Sequence, residues 1–515
     1  MKSSKINWNL ICECLLIAAI FVTVALIMYT NLFHYCYKMN ADIASESVLA
    51  RLIWESGELI PKSWYPSTEL RIWQTPNLAV IFYGITSNMA LSMGAACIVM
   101  TIGILLSANF FISQFSFGRI QKLIFLFLCL IIPNHFVTLE LFYLFGSYYA
   151  IHVIIMFFTL GVYARLISGK RSHILWVWVT ILFSFMLGMQ GVREILILNG
   201  PLLVTEILRH FYLNICWDME KRNRFLVCGW CMLLLLAGYI GSLFPFSVGQ
   251  STSRNIRKGF MKLFETVLPD VVTCLGLPEI GIGGGILHLE LLLIAIITLI
   301  LCIIRILKKR CDDHAVWIYL MLWISAVITM FAVAFTTTES SQRYYFMILF
   351  AMAFGFSYFI GWANEKLPIL SIVGYVTILL LFIFQVYTIY KPIIQSEEPA
   401  QTPAYEVCQY LKEHGYQTAY ATFESANTMT VLSGGTIRVA AVASVEKMDI
   451  CKWLSSTEWY VPNMSYRSRT AYIVTETENE LFERFYNQHR DDIQFMTQID
   501  KYLIYVSDYN FSCLE

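Results

Sequence analysis

Stretches of about 20 apolar residues recur from the N-terminus to about residue 390 of this 515-residue chain. A helix of that length crosses the hydrocarbon core of a bilayer. Hydrophobic residues make up 57% of the chain and charged residues only 14%, against about 25% in soluble domains. The sequence therefore predicts a polytopic α-helical membrane protein. Its formal net charge is zero and it has no basic stripe, so we expect no nucleic-acid partner.

The apolar runs predict about eleven transmembrane helices. The third run stops at Pro133, which indicates a broken or re-entrant span, and the sixth is interrupted by Gly200 and Pro201. The predicted helices cover residues 9–33, 87–111, 119–133, 147–167, 172–189, 194–210, 224–245, 284–307, 314–335, 344–361 and 367–389.

Cations near the ends of the spans predict the orientation of the chain. Alternate loops, starting with Lys2 and Lys5, are rich in lysine and arginine, whereas the others are poorer, apart from the long segment 246–283. We therefore expect a multi-pass protein of the cell membrane with a cytoplasmic N-terminus. Eleven spans then place the loop 34–76, the segment 246–283 and the C-terminal tail on the external side.

The composition changes sharply after residue 391, where prolines and glutamates mark a linker. The tail predicts helices at 405–414 and 479–489, and short strands at 418–422, 436–442, 470–474 and 502–506. The expected organisation is a transmembrane domain, residues 1–391, followed by a small extracytoplasmic α/β domain, residues 392–515. The tail has no glycine-rich phosphate loop, so we interpret it as a binding or lid module.

Acidic residues stand out in the first external loop. Residues 41–56 predict an amphipathic helix that ends at Gly57, with an apolar stripe suited to the membrane surface. Asp42 lies at the start of this helix and Glu46 one turn further along the same side. Two such carboxylates can activate and orient a hydroxyl group. The structural alternative is that Asp42 caps the helix and Glu46 is solvated.

Further along the same loop, Glu69 is a second candidate for substrate binding, with a solvated turn residue as the alternative. The aromatic residues Trp64 and Tyr65 suit stacking on sugar rings, although tryptophan and tyrosine also anchor proteins at membrane interfaces.

Two arginines are predicted at external ends of spans. Arg193 follows Gly191 after the fifth span, and Arg343 precedes Tyr344 at the start of the tenth. The planar guanidinium group matches phosphate oxygens, and a departing lipid phosphate requires cationic stabilisation. The alternative is that each arginine extends from a helix end to water.

This layout resembles the GT-C class of polytopic glycosyltransferases. The resemblance is architectural over most of the chain, with motif support at Asp42, Glu46, Glu69 and the pair Arg343-Tyr344. It implies sugar transfer from a polyprenyl-phosphate donor to an external acceptor, with Asp42 as the acid of the first loop and Arg343 at the donor phosphate. Many members carry adjacent acids in this loop, whereas Asp42 and Glu46 are a helical turn apart. A role for a divalent cation is therefore left open, and no metal ligand is assigned.

The predicted function is transfer of a sugar from a polyprenyl-phosphate donor to a glycan, lipid or protein outside the cytoplasm. Asp42 and Glu46 are the predicted catalytic residues. The predicted substrate-binding residues are Glu69, Arg193, Arg343, Tyr344, Trp64 and Tyr65. Two alternatives stay open: a transporter or flippase for a lipid-linked glycan, and a non-catalytic membrane protein of envelope assembly.

Overall fold

The computed structural model describes residues 8–67, 71–169, 173–216, 221–244, 253–254, 256–277, 281–308, 313–460 and 469–511. The chain divides into two compact units, and each unit combines three separate segments of the chain. The first unit comprises Met1–Ile27, Met100–Phe142 and Tyr149–Pro392. The second comprises Met28–Val99, Tyr143–Tyr148 and Ile393–Glu515.

Helices dominate the chain up to residue 394. Short 3-10 or π-helical segments, Ile195–Asn199, Leu263–Val267, Gln342–Tyr345 and Val386–Tyr390, lie next to several of them. The α-helices are α1 (Trp8–Phe33), α2 (Ala41–Ser56), α3 (Thr75–Thr86), α4 (Met89–Ile112), α5 (Arg119–Ile131), α6 (Phe136–Phe142), α7 (Ala150–Ile167), α8 (Ile174–Gly188), α9 (Gly200–Cys216), α10 (Lys221–Ser242), α11 (Ile256–Lys262), α12 (Leu268–Cys274), α13 (Gly281–Leu307), α14 (His314–Ala334), α15 (Met347–Lys366), α16 (Pro368–Gln385) and α17 (Lys391–Ile394).

Eight helices in the described part of the chain are long and apolar enough to cross a membrane, and a bent pair raises the number to nine. These helices confirm the predicted multi-pass α-helical architecture. The difference from the eleven predicted spans lies in two segments. Helix α8 has only 15 residues, and the segment predicted at 194–210 begins with a π-helical turn before α9.

The predicted break at Pro133 is confirmed, because α5 and α6 meet at 114°. Inside a membrane, a break leaves backbone carbonyl groups that need hydrogen-bond donors. Gln385 Nε2 donates to the carbonyls of Leu130 and Pro133, at 3.1 and 2.9 Å. His288 Nε2 lies 3.1 Å from the carbonyl of Ile132. Polar side chains of α13 and α16 therefore stabilise the break.

Aromatic packing around α15 forms the core of the first unit. Phe354 of α15 stacks on Tyr319 of α14, with ring centroids 5.9 Å apart. It also meets Phe111 of α4 and Phe115, which follows that helix, at 5.7 and 5.3 Å. Such tilted and offset pairs are favourable ring arrangements. They hold α15 among α4 and α14, so its first turn has a fixed position.

The second unit contains a six-stranded mixed sheet with spatial order β4-β3-β2-β6-β8-β7. Strands β3, β2 and β6 are parallel, and the remaining pairs are antiparallel. The elements are β1 (Trp64–Tyr65), α18 (Pro403–Glu413), β2 (Thr418–Thr422), α19 (Phe423–Leu432), β3 (Arg438–Ser444), β4 (Asp449–Ile450), β5 (Ser455–Ser456), β6 (Thr470–Thr475), α20 (Asn479–Gln488), β7 (Ile493–Ile499) and β8 (Tyr502–Ser507).

The prediction of a small α/β tail is thus confirmed. The four predicted strands correspond to β2, β3, β6 and β8, and the two predicted helices to α18 and α20. The sequence did not indicate α19 or β7. The boundary of the domain at residue 391 stays a prediction.

The predicted contact of the apolar stripe of α2 with the membrane is wrong. Its apolar stripe, Ala44, Val48 and Leu52, with Leu49, is buried in a core shared with sheet residues such as Tyr420. Helix α2 packs on α3 and on α19 of the tail. The helix does have the predicted apolar face, but protein rather than lipid covers it.

We expect Leu49→Ala to destabilise the second unit by about 2–5 kcal/mol, because a buried leucine leaves a cavity when it is truncated. The leucine side chain is 3% exposed. Thermal unfolding of the full chain in detergent, followed by tryptophan fluorescence, would measure the loss. The matched control is Leu59→Ala at a half-exposed position. Equal melting temperatures for the two variants would contradict the packing of α2 against protein.

Candidate functional site

The start of α2 leaves the Asp42 carboxylate exposed to solvent. Asn40 caps the helix, because its side chain accepts a hydrogen bond from the Ile43 amide at 2.9 Å. Asp42 lies in the first turn, where the helix dipole favours a negative charge. No described residue forms an ion pair with it. The cap is therefore Asn40, and the alternative role considered for Asp42 does not hold.

Glu46 is buried rather than solvated. Its side chain is 3% exposed, and its Oε1 atom lies 2.8 Å from Nε of Arg71. Arg71 also donates from Nη1 to Oε1 of Gln74 at 2.8 Å, and its guanidinium lies 5.9 Å from the ring centroid of Tyr148. A buried ion pair of this kind fixes geometry. This pairing favours a role for Glu46 in positioning α2, while its predicted catalytic role stays a prediction.

The environment of Glu46 is poor in water. The neighbouring phenol of Tyr35 is 3% exposed. Burial raises the pKa of Tyr35 well above its usual value, and the negative charge of Glu46 acts in the same direction. Tyr35 therefore stays neutral. Arg71 is the cation that forms an ion pair with Glu46.

Trp64 and Tyr65 differ in what they contact. The two residues form β1, which pairs in antiparallel register with β5 of the tail. The Trp64 side chain is buried in the core that also holds α2, so the expectation that it stacks on a sugar is corrected. Tyr65 is only partly buried. Glu69 lies outside the described residues.

The first unit brings the two predicted arginines to one tyrosine. The guanidinium carbons of Arg193 and Arg343 each lie 5.9 Å from the ring centroid of Tyr344. Arg193 also lies 4.0 Å from the ring centroid of Tyr149, a residue that the sequence did not indicate. These distances are within the range of cation–π attraction. We call these four residues the arginine–tyrosine cluster.

Local backbone structure positions both arginines. Gly191 has a φ of +136°, which glycine tolerates, and Arg193 then precedes the π-helical turn Ile195–Asn199. Arg343 lies in the 3-10 turn Gln342–Tyr345 that leads into α15. Both arginines therefore extend from helix starts rather than from helix interiors.

A buried polar pair adjoins the cluster. Nδ1 of His152 lies 3.4 Å from Oε2 of Glu194, and both side chains are at most 1% exposed. The ring of Tyr149 meets that of His152 edge-on at 5.8 Å. Sequence reasoning missed this pair because the two residues are 42 positions apart, on different helices.

The two units thus present two chemical environments. The second unit carries an exposed carboxylate at the start of a firmly packed helix. The first unit carries two guanidinium groups on an aromatic base, an arrangement suited to a phosphate. Within the described ranges, no three His, Cys, Asp or Glu side chains lie close enough together to hold a metal ion.

No known protein-family profile matches this sequence, and no curated protein matches it. The fold does have a solved counterpart. ArnT from Cupriavidus metallidurans, crystallised with undecaprenyl phosphate, aligns over 99% of both chains with a TM-score of 0.56. The chain has the GT-C fold. The two sequences are only 9% identical, so this likeness concerns the fold.

Breaking the buried ion pair should be costly. We expect Glu46→Ala to destabilise the protein by about 3–5 kcal/mol, because it leaves Arg71 uncompensated in a buried site. The control is Glu58→Ala, which removes an exposed pair with Lys62 and should leave stability unchanged. Thermal unfolding in detergent would compare them. A Glu46 variant as stable as the Glu58 variant would show that the ion pair does not hold α2 in place.

Proposed function

We infer that this protein is a membrane glycosyltransferase that uses a polyprenyl-phosphate-linked sugar. The arginine–tyrosine cluster carries this proposal. Arg193 and Arg343 both lie beside the ring of Tyr344, so two cations meet at one place. The GT-C fold supports the proposal, since the solved ArnT structure contains undecaprenyl phosphate.

In the proposed reaction, the bond between the anomeric carbon of the sugar and the phosphate oxygen breaks. A bond from that carbon to an acceptor hydroxyl oxygen forms, and the polyprenyl phosphate leaves. Arg193 and Arg343 stabilise the negative charge that develops on the phosphate. Tyr344 and Tyr149 hold the guanidinium groups in place.

The acceptor proton requires a base, and Asp42 is the proposed one. Its carboxylate is exposed and lies at the end of a helix that the Glu46–Arg71 pair fixes. A carboxylate in such a position accepts the hydroxyl proton as the glycosidic bond forms. Tyr65, and Glu69 by its place in the sequence, are proposed contacts to the acceptor, which is a glycan, a lipid or a protein.

The proposed orientation follows from the charged loops. Cations of the alternate loops favour a cytoplasmic N-terminus, with Asp42 and the tail outside the cytoplasm. The acceptor is then a molecule of the cell envelope. A divalent cation is not required by this scheme, since the two arginines supply the positive charge.

Asp42→Asn should lower sugar transfer by about 10²–10⁴-fold, because the amide cannot accept the proton. Purified protein in liposomes would be assayed with radiolabelled polyprenyl-phosphate sugars and envelope extracts. The matched control is Glu55→Gln, which changes an exposed acid at the other end of α2 and should retain activity. Normal transfer by a folded Asp42→Asn protein would refute the role of Asp42.

The arginines should act differently from Asp42. We expect Arg343→Gln and Arg193→Gln each to reduce transfer by about 10²–10³-fold and to weaken binding of polyprenyl phosphate. Asp42→Asn should bind that lipid normally. Arg343→Lys should recover part of the binding, since it keeps the charge but not the planar fork. Unchanged lipid binding by both glutamine variants would show that the arginine–tyrosine cluster does not bind the phosphate.

A transporter of a lipid-linked glycan is the second candidate, and one observation favours it. Glu206 in α9 is fully buried, accepts a hydrogen bond from Tyr163 at 2.7 Å and pairs with Arg209 at 2.8 Å. Ionisable groups inside membrane segments often mark transport pathways. Glu13, an acid in α1, pairs with the exposed Arg119. Flipping that depends on Glu206, with no sugar transfer by the wild-type protein, would favour the transporter.

A further inference from the structure

The first unit contains a cavity of about 840 Å³ at the helix ends opposite to the arginine–tyrosine cluster. Helix α7 begins directly after Tyr149 and reaches the cavity with Ala164, near its other end. Helix α15 begins after the turn that holds Arg343 and reaches the cavity with Tyr358. A helix of 18 residues is about 27 Å long, so the cavity and the cluster are at opposite membrane faces.

A fixed chain of polar groups forms one wall of this cavity. Arg305 donates from Nη1 to the hydroxyl of Tyr358 at 2.5 Å. That hydroxyl donates to Oδ2 of Asp313 at 2.9 Å, and Oδ1 accepts from the Ala315 amide at 2.9 Å. Asp313 therefore caps α14 and accepts a hydrogen bond from Tyr358. The result is a guanidinium group held at the wall of the cavity.

One side of the cavity rim is apolar and exposed. Leu301 and Ile304 of α13 and Trp362 of α15 line it, although they are 43%, 38% and 41% exposed. Further exposed residues of α13, such as Ile297 and Ile300, continue the same apolar surface. On a membrane-spanning helix, such a surface contacts lipid chains. An occupant of this cavity therefore has a polar head and an apolar tail.

The charges at this face favour an anionic head. Lys308 also lines the cavity, and its side chain is exposed. Arg119, Lys122, Arg165 and Lys366 lie at the ends of α5, α7 and α15 near the same face. Glu365 is an exposed carboxylate of the lining, and Asp313 is engaged as described. Basic pockets between transmembrane helices bind the head groups of phosphate-bearing lipids.

We propose that this cavity is a second lipid site, which binds the phosphate head group of a membrane lipid through Arg305 and Lys308. The lipid chains lie along the exposed face of α13. The site is separate from the arginine–tyrosine cluster and does not depend on the proposed glycosyl transfer. Phospholipids and polyprenyl phosphate share the phosphate chemistry, so the experiment must distinguish them.

Native mass spectrometry of the full chain, delipidated in detergent, would measure retained lipid. The probes are phosphatidylglycerol, phosphatidylethanolamine, polyprenyl phosphate and inorganic phosphate, each added separately. The test variants are the double change Arg305→Gln with Lys308→Gln, and Lys308→Glu alone. The control is Arg119→Gln, a cation of the same face that pairs with Glu13 and does not line the cavity.

We expect the wild-type protein to retain phosphatidylglycerol or polyprenyl phosphate in preference to phosphatidylethanolamine, and the preferred lipid names the source of the phosphate. The double variant should retain at least about tenfold less phosphatidylglycerol, since hydrogen bonds to a charged group are lost. It should retain one polyprenyl phosphate rather than two, because the arginine–tyrosine cluster is unchanged. Lys308→Glu, at an exposed position that tolerates substitution, should also retain less, while Arg119→Gln should match the wild type. Equal retention of all lipids, equal loss in the control, or retention of inorganic phosphate as strong as that of the lipids would overturn the proposal.

Discussion

Within a bilayer, every backbone amide and carbonyl must find its partner inside the protein. This constraint explains why the membrane-spanning segments in the described part of the chain are helical. It also explains the few polar side chains that the spans tolerate. Where α5 ends, just before Pro133, Gln385 and His288 reach the carbonyls at the break and replace the lost helical hydrogen bonds. The broken span is therefore stable only because α13 and α16 pack beside it.

Buried acidic side chains likewise have partners inside the protein. Glu46 is buried but faces Arg71, and Glu206 is buried but faces Arg209. Arg193 and Arg343 lie at helix starts against tyrosine rings. Two guanidinium groups beside one ring, that of Tyr344, are the physical reason for assigning phosphate recognition to the arginine–tyrosine cluster.

Hydrophobic periodicity was sufficient to predict most of the fold. Strand β2 coincides with its predicted bounds, and α1 and α14 differ from theirs by one residue at one end. Helix α19 was missed because serine, threonine and asparagine dilute its helical pattern. Strand β7 was missed because its apolar and polar residues do not alternate: Phe495 and Met496 are adjacent, and the register shifts beside them.

The candidate site was predicted less completely, because its residues are defined by contacts over long sequence distances. The sequence indicated Arg193, Arg343 and Tyr344 as separate candidates, but not that they meet. It did not indicate that Arg71 neutralises Glu46, or that the apolar face of α2 has a protein partner. Periodicity shows that a face is apolar but not whether lipid or protein covers it.

Because α2 shares its core with the sheet, the tail is not an appendage that can be removed cleanly. Truncation before residue 392 would expose Val48, Leu49 and Leu52. The loop that carries Asp42 would then have an aggregation-prone apolar surface. A phenotype of such a truncation would therefore report misfolding of the loop as readily as loss of a docking module. Point substitutions on the outer surface of the tail are the cleaner way to learn what the tail itself contributes.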